Sequence, residues 1–270
     1  MTEAYMTDQL KTNQQDIASP LISAFVIAQD EEEFIARCLQ SLRGLADEIV
    51  VVDGGSEDKT IEIAAAYGAR VIRNAWPGFV EQKNYALDQC SHDWVLTLDA
   101  DEEISPALRT ELESIRSRLR SCWERDHIGG WAIPRRVFYE GRWIRHGDWN
   151  PDYVTRLFRR AGARYGGGLV HERIEHEGEI RRLNAPLYHY TYRDRADHLA
   201  RIEKYSTLWA HSKRSEGKSC SALVPYGRAL WRFLRGLILK RGVLDGRIGW
   251  RIAALSAYEV FLKYRKLRMP

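Results

Sequence analysis

The sequence predicts an α/β protein: a mostly parallel sheet flanked by helices, with a helical extension at the C-terminal end. Three observations predict it. Apolar runs of strand length alternate with helical stretches from Leu21 to Asp99. The runs are apolar at consecutive positions, so both faces of each strand are covered, as in parallel sheets between helix layers. From Asp194 onward the pattern is helical to the end.

The elements follow in order. "LISAFVIA", Leu21 to Ala28, is a buried strand, and "FIARCLQSL" behind it has helical apolar spacing at Phe34, Ile35, Cys38, Leu39 and Leu42. "EIVVVD" is a second strand ending at Asp53. "SEDKTIEIAAAYG" reads as a helix with Ser56 and Asp58 as cap candidates and Gly68 as its stop. "ARVIRN" is a third strand, "VEQKNYALDQC" a helix, and "DWVLTLD" a fourth strand. A charged amphipathic helix runs from Pro106 to about Ser121. "GGWAIPRRVFYEGRWI" then alternates and turns at Glu140–Gly141, and "RLFRR", "LVHERIEHEG" and "APLYHYTY" are shorter strands. We divide the chain into a polar tail (1–19), a sheet-bearing domain (20–193) and a basic helical region (194–270).

Composition narrows the function. Hydrophobic content of 44% is ordinary for a globular protein. Cys38, Cys90, Cys122 and Cys220 are scattered without CxxC spacing, which argues against a disulfide framework or a zinc site and fits a reducing compartment. No run has the length of a membrane span, and the N-terminus lacks a signal-like pattern. Ser221 to Pro270 holds eleven Lys and Arg against two Asp and Glu, a balance of +9, while the rest of the chain carries −5. That asymmetry gives the C-terminal region a separate task on an anionic surface. Nucleic acid is not expected, because no recognition motif accompanies the charge.

Acidic clusters mark one rim. Ligands of open parallel sheets bind beyond the carboxyl ends of the strands. "AQDEEE", "DGGSED" and "DADEE" close the first, second and fourth strands. Singly, each reads as loop polars and helix caps. Together they point to one site. Asp99 and Asp101, two apart on an extended segment, are expected to face the same way and reach one cation. Hard oxygen ligands suit Mg²⁺ or Mn²⁺ shared with substrate phosphates.

"IAQDEE", "VVDGGSEDKT", "QKN" and "LDADEE", in this order, resemble glycosyltransferase family 2, whose fold is the Rossmann-like GT-A fold. "GRWIRHGDWNPDYVTRLFRR", "LVHERI" and the final "AYEVFLKY" resemble a narrower bacterial branch, the lipopolysaccharide-core enzymes that add β-glucose to a heptose. The resemblance implies that Ala28 and Glu31 line a nucleotide pocket and that Asp53 accepts a hydrogen bond from the base, uracil in most relatives. It places Lys83 near the diphosphate, against the alternative of a solvated helix lysine. Asp99 would meet ribose or metal and Asp101 the metal, with Ala100 between them in the donor site. One departure is Asp30-Glu31 where many relatives have Asn-Glu, so Asp30 is left out of the site.

The resemblance also implies an inverting mechanism that needs a carboxylate base. Glu172 in "VHE" is the candidate, with Asp148 and Asp152 of "GDWNPD" as competing bases or acceptor binders. A late histidine on the metal would be His189, or less well His171. The expected donor is a UDP-sugar, and the acceptor a glycan or glycolipid such as a lipopolysaccharide core. The expected location is the bacterial cytoplasm, at the inner membrane's cytoplasmic face. Two other readings stay open. A nucleotidyltransferase would want a Gly-rich phosphate loop where "AQDEEEF" stands, and a non-catalytic module of this fold would show no transfer.

The tail has a stripe of Leu230, Phe233, Leu234, Leu237 and Ile238 flanked by Arg228, Arg232, Arg235, Lys240 and Arg241. It can pack on the core or lie on anionic lipid, where Trp231 would insert as well.

Overall fold

The computed structural model describes residues 21–168 and 171–269, without the side chains of residues 168, 171 and 172. Its centre is a sheet whose strands are β1 (Ile22–Ala28), β2 (Glu48–Asp53), β3 (Arg70–Arg73), β4 (Trp94–Asp99), β5 (Glu102–Ile104), β6 (Ile128–Tyr139), β7 (Arg142–Trp143) and β8 (Asp152–Arg159). A hairpin of β9 (Arg164–Gly168) and β10 (His171–Glu175) stands apart, and β11 (Glu179–Arg182) and β12 (Leu187–His189) rejoin the sheet. The order is β3-β2-β1-β4-β8-β6-β12-β5, with β7 and β11 on β6. The first four strands are parallel; β8 enters antiparallel to both β4 and β6, so the sheet as a whole is mixed.

Pleat alternation explains the continuous apolar runs. In β1, Ile22, Ala24, Val26 and Ala28 face one cluster while Phe25 and Ile27 face another. The first cluster receives helix α1 (Ile35–Leu42) through Cys38, Leu39 and Leu42, and α4 (Pro106–Arg116) through Leu108, Leu112 and Ile115. The second receives α3 (Phe79–Asp88) through Ala86 and Leu87. Between them in sequence, α2 (Thr60–Ala66) ends before Gly68, which takes φ +81°.

Two local expectations change. Neither Ser56 nor Asp58 occupies the cap position of α2, where Lys59 stands without a side-chain bond. Asp58 instead accepts from the Thr60 amide at 2.9 Å, and Ser56 ties two loops together. The helix after Pro106 breaks at Ser117 and resumes as α5 (Leu119–Asp126). The turn at Glu140–Gly141 stands where the sequence put it. Both residues have positive φ, 45° and 79°, the geometry of a two-residue hairpin loop joining β6 to β7.

After Asp194, which caps α6 (Arg195–Ser215) by accepting from the Asp197 amide at 2.8 Å, the chain is helical. α7 (Val224–Leu234) runs into a π-helical turn (Arg235–Leu239) and a 3₁₀ turn (Gly242–Asp245), then α8 (Gly246–Arg268). Ile202, Leu255 and Leu262 form the core between α6 and α8. Ile252 of α8 packs with Val137, Tyr139 and Ile144 of the sheet domain. Among the described residues no helix is long and apolar enough to cross a membrane.

Candidate functional site at the carboxyl ends of the strands

The ends of β1, β2 and β4 lie side by side, as their register requires: Ala28 opposite Asp53, and Ile27 opposite Asp99. The first two acidic loops bind each other. Asp30, at φ 55°, accepts from the Glu57 amide at 2.8 Å, while its own amide donates to Ser56 Oγ at 2.9 Å. The Glu31 amide donates to Thr60 Oγ1 at 2.8 Å and the Glu32 amide to Asp58 at 3.0 Å. Much of this acidity therefore fixes loop shape. Ala28 is buried at the end of β1, and its carbonyl accepts from the Gly54 amide at 2.8 Å. Asp53, fully buried, accepts from the amides of Gly55 at 2.9 Å and Ser56 at 3.1 Å, and from Ser56 Oγ at 2.5 Å.

The two aspartates expected to act as a pair diverge. Pleat parity carries Thr97 and Asp99 to the α3 face of β4, where Lys83 waits. Lys83 is 2% exposed, and its Nζ lies 3.1 Å from Asp99 Oδ1 and 5.6 Å from the centre of the Tyr165 ring. It is not a solvated helix lysine. The other oxygen of Asp99 is held by Arg156. Residues 100 and 101 form a turn rather than extended chain, which re-aims Asp101 toward His189, with Nε2 3.4 Å from Oδ2. Ala100 is buried in the cluster on the opposite face.

Sequence reasoning missed Arg156, Glu102 and Arg135. Arg156 donates to Glu102 at 2.6 Å, Arg135 Nη1 lies 3.6 Å from the same carboxylate, and Arg135 also donates to Asp152 at 2.5 Å. The result is an alternating chain, Lys83–Asp99–Arg156–Glu102–Arg135–Asp152, with Glu102 and Arg156 almost wholly out of solvent. Burial pushes the Asp99 carboxyl up, but Arg156, Lys83 and Arg135 outweigh it and hold it well below the usual range. Burial likewise opposes ionisation of Asp101, and the neighbouring His189 more than offsets it. Glu31 is pushed up to about 7, by burial first and by the Asp101 charge second. A cation in a strand flanked by apolar residues, Arg156 in "VTRLF", is the one signal that pointed here.

Among the described residues no three Asp, Glu, His or Cys side chains gather closely enough to hold a metal alone. Asp101 and His189 nevertheless fit a shared site. They converge as a carboxylate and an imidazole, and diphosphate oxygens can fill the remaining positions of Mg²⁺ or Mn²⁺. Asp99 does not join them, since both its oxygens have cationic partners. Asp148 is tied away from the rim, its carboxylate 3.1 Å from Arg232 Nε and 2.6 Å from Arg235 Nη2. Glu172 pairs opposite Gly167 in the β9–β10 hairpin. Its side chain and that of His171 lie outside the described residues.

Residues 23–182 match the family model described as glycosyl transferase family 2. An uncharacterized glycosyltransferase of Rickettsia prowazekii is 30% identical over 92% of this chain and 86% of its own. A lipopolysaccharide core biosynthesis glycosyltransferase of Rhizobium meliloti, LpsC, is 34% identical over 73% of each chain. Among solved structures, glucosyl-3-phosphoglycerate synthase from Mycobacterium tuberculosis, in complex with Mn²⁺, UDP and glucosyl-3-phosphoglycerate, is 28% identical over 46% of each chain, with a TM-score of 0.34. S. aureus TarS 1-349 aligns over 91% of each chain at 17% identity and a TM-score of 0.46.

Proposed function

We propose, from the premise that the chain belongs to glycosyl transferase family 2, that it transfers a hexose, glucose or a close relative, from a UDP-sugar to a saccharide acceptor with inversion at the anomeric carbon. The acceptor we propose is a lipopolysaccharide core or another lipid-linked glycan, the class that the name of the Rhizobium meliloti relative carries. Residues 20–193 are the catalytic unit in this reading and 194–270 its acceptor-side extension, acting on the cytoplasmic face of the bacterial inner membrane. The observation that carries the proposal is the Asp101–His189 pair beside the buried Lys83–Asp99 pair, at the mouth shared by β1, β2 and β4.

The roles we assign are these. Asp53, on its own strand end, meets the base, and Ala28 and Glu31 line the nucleotide pocket. Asp101 and His189 would hold a divalent cation, which neutralises charge on the departing diphosphate. Lys83 keeps Asp99 ionised from the interior side and adds positive potential behind the phosphates. Asp152, half-exposed beside Arg135, sits on the acceptor side. Glu172 is the proposed base: it takes the acceptor hydroxyl proton as the oxygen attacks the anomeric carbon opposite the diphosphate, through an oxocarbenium-like transition state. The acidic loop after β1, Asp30 to Glu33, disfavours a nucleotidyltransferase, because it repels the phosphates such an enzyme cradles there.

The test is calorimetric titration of UDP with Mn²⁺, followed by transfer assays with UDP-hexoses. Asp101→Ala and His189→Ala should each lose metal-dependent UDP binding, and Glu172→Gln should keep binding and lose transfer. Unchanged UDP affinity in both metal-site variants would remove the cation assignment. Near-normal kcat in Glu172→Gln would move the base to Asp152, since Asp148 is held by Arg232 and Arg235.

A further inference from the structure

The stripe along α7 and the π-helical turn packs inward only in part. Leu237 is buried and Phe233 leans on Trp250 at 5.9 Å, but Leu230, Trp231, Ile238, Leu239 and Leu244 are 56 to 64% exposed. Leu223, Tyr226, Leu230, Leu234 and Ile238 recur every three or four residues, so the exposed side chains form one outward face. That face continues into a groove of about 460 Å³ between the π-helical turn, the 3₁₀ turn and α8, floored by Leu237 and lined by Ile238, Val243, Leu244 and Trp250, with Arg241 at its edge. Exposed apolar surface of this extent is unusual on a protein that meets only water. Arg241 lines it, and Lys240 and Arg247, also exposed, neighbour its lining residues in sequence, in the segment whose balance is +9.

We propose that this face seats on an anionic phospholipid bilayer. The apolar side chains enter the headgroup–acyl boundary, and the basic residues meet lipid phosphates. Charge decides the occupant: the basic residues beside this apolar face belong to a segment whose balance is +9, which matches an anionic lipid surface. Two basic residues are excluded from the rim, because Arg232 and Arg235 are held by Asp148.

The anchoring ties the face to the rim of the site. The loop from β7 to β8 binds the helical region through Asp148. It also does so through His146, whose Nδ1 lies 2.9 Å from Asp245, and Gly147, whose amide donates to the Lys240 carbonyl at 2.9 Å. The same loop enters β8 at Asp152, which pairs with Arg135 and so with Glu102 and Arg156. A seated face therefore presents the acceptor side of the rim to the bilayer. Only this last step rests on the transferase reading.

The experiment is vesicle co-sedimentation of the full chain, with 3:1 phosphatidylethanolamine–phosphatidylglycerol against pure phosphatidylcholine, across a salt series. Two variants are compared: Lys240→Glu, Arg241→Glu and Arg247→Glu together, and Ile238→Ser, Leu239→Ser and Leu244→Ser together. Circular dichroism and UDP–Mn²⁺ titration check that each is folded. The parent should prefer the anionic vesicles. The charge variant should bind at least tenfold less at low salt and lose its salt dependence, and the apolar variant should weaken at every salt concentration. Equal binding to both lipids, or variants that bind as the parent does, overturns the proposal. So does a parent that self-associates in sedimentation velocity while the apolar variant stays monomeric with unchanged vesicle binding, since the face then joins two copies. Vesicle binding that persists when UDP binding is absent sinks the UDP-sugar reading of the donor and leaves this one standing.

Discussion

Removing the Arg156 guanidinium while keeping Asp99 and Glu102 leaves Glu102 buried with Arg135 and the Asp99 amide, and the part-exposed Asp99 with Lys83, as their described partners. Breaking a buried pair from one side costs about 3–5 kcal/mol, far more than the intact pair contributes. Arg156→Met should therefore lower unfolding free energy by roughly that amount in urea, and Arg156→Lys should recover part of it. A loss below ~1 kcal/mol would mean that water reaches the chain of charges. The same geometry separates the two aspartates. Asp99→Asn should reduce stability and activity together, because it leaves Lys83 and Arg156 facing a neutral amide. Asp101→Asn should spare stability and remove metal-dependent UDP binding. Equal melting temperatures for the two variants would contradict this division. The sequence made Asp53, Lys83, Asp99 and Asp101 legible, because each stands at a strand end or in a short motif. It did not reveal who neutralises Asp99, since Arg156 lies 57 residues further on and reaches it only when β8 pairs with β4. It also misaimed Asp101, because extended chain was assumed where β4 turns into β5.

Elements were legible where burial is two-sided. β1, β2 and β4 have no solvent-facing side to confuse the pattern, so length and flanking turns defined them, whereas β3 is an edge strand with Arg70 and Arg73 exposed. The break between α4 and α5 was not legible, because Ser117 and Arg118 are ordinary helix residues. The junction of the 3₁₀ turn with α8 is another contact that sequence hides. A Cβ placed on Gly249 would lie 1.8 Å from the Gly242 carbonyl oxygen, and one on Gly242 would lie 2.6 Å from the Gly236 carbonyl oxygen. Backbone meets backbone at both points, so no side chain can yield. Gly249→Ala should force the first turn of α8 outward and destabilise by about 1–3 kcal/mol, the range of overpacked interiors. Gly227→Ala, with open space around it, is the control and should be neutral or slightly stabilising. If both variants melt alike, the close approach does not exist in solution.

At the scale of the whole molecule, one of the contacts between the sheet and the helical region is a buried histidine. His198 of α6 is 3% exposed, its Nδ1 lies 2.9 Å from the Tyr139 hydroxyl of β6, and its ring packs 4.1 Å from Tyr192 and 5.5 Å from Trp149. Charging it there means placing an imidazolium among aromatic rings. Burial is the largest influence and lowers its pKa to about 4, although Glu259 and Asp197 pull the other way. The unfolded chain binds this proton with a pKa near 6.5, so between pH 6.5 and 4 the unfolded state holds more protons than the folded one. The stabilisation is complete above that window and is lost as pH falls through it, at about 1.4 kcal/mol per pH unit, before most carboxylates titrate. Glu31, held up at about 7, contributes the opposite slope over much of this window, so urea unfolding at pH 7, 6, 5 and 4.5 should show the His198 slope as the difference between the parent and a variant without this histidine. His198→Gln keeps a polar partner for Tyr139 but has no proton to take up, so it should start less stable and lose less on acidification. Because His198 lies between α6 and the β6 strand, the acid loss should appear in near-ultraviolet circular dichroism of the surrounding Tyr139, Tyr192 and Trp149 as well as in the global transition. Parallel pH profiles for parent and variant would place the acid sensitivity in the carboxylate chain at the rim and free this junction of it.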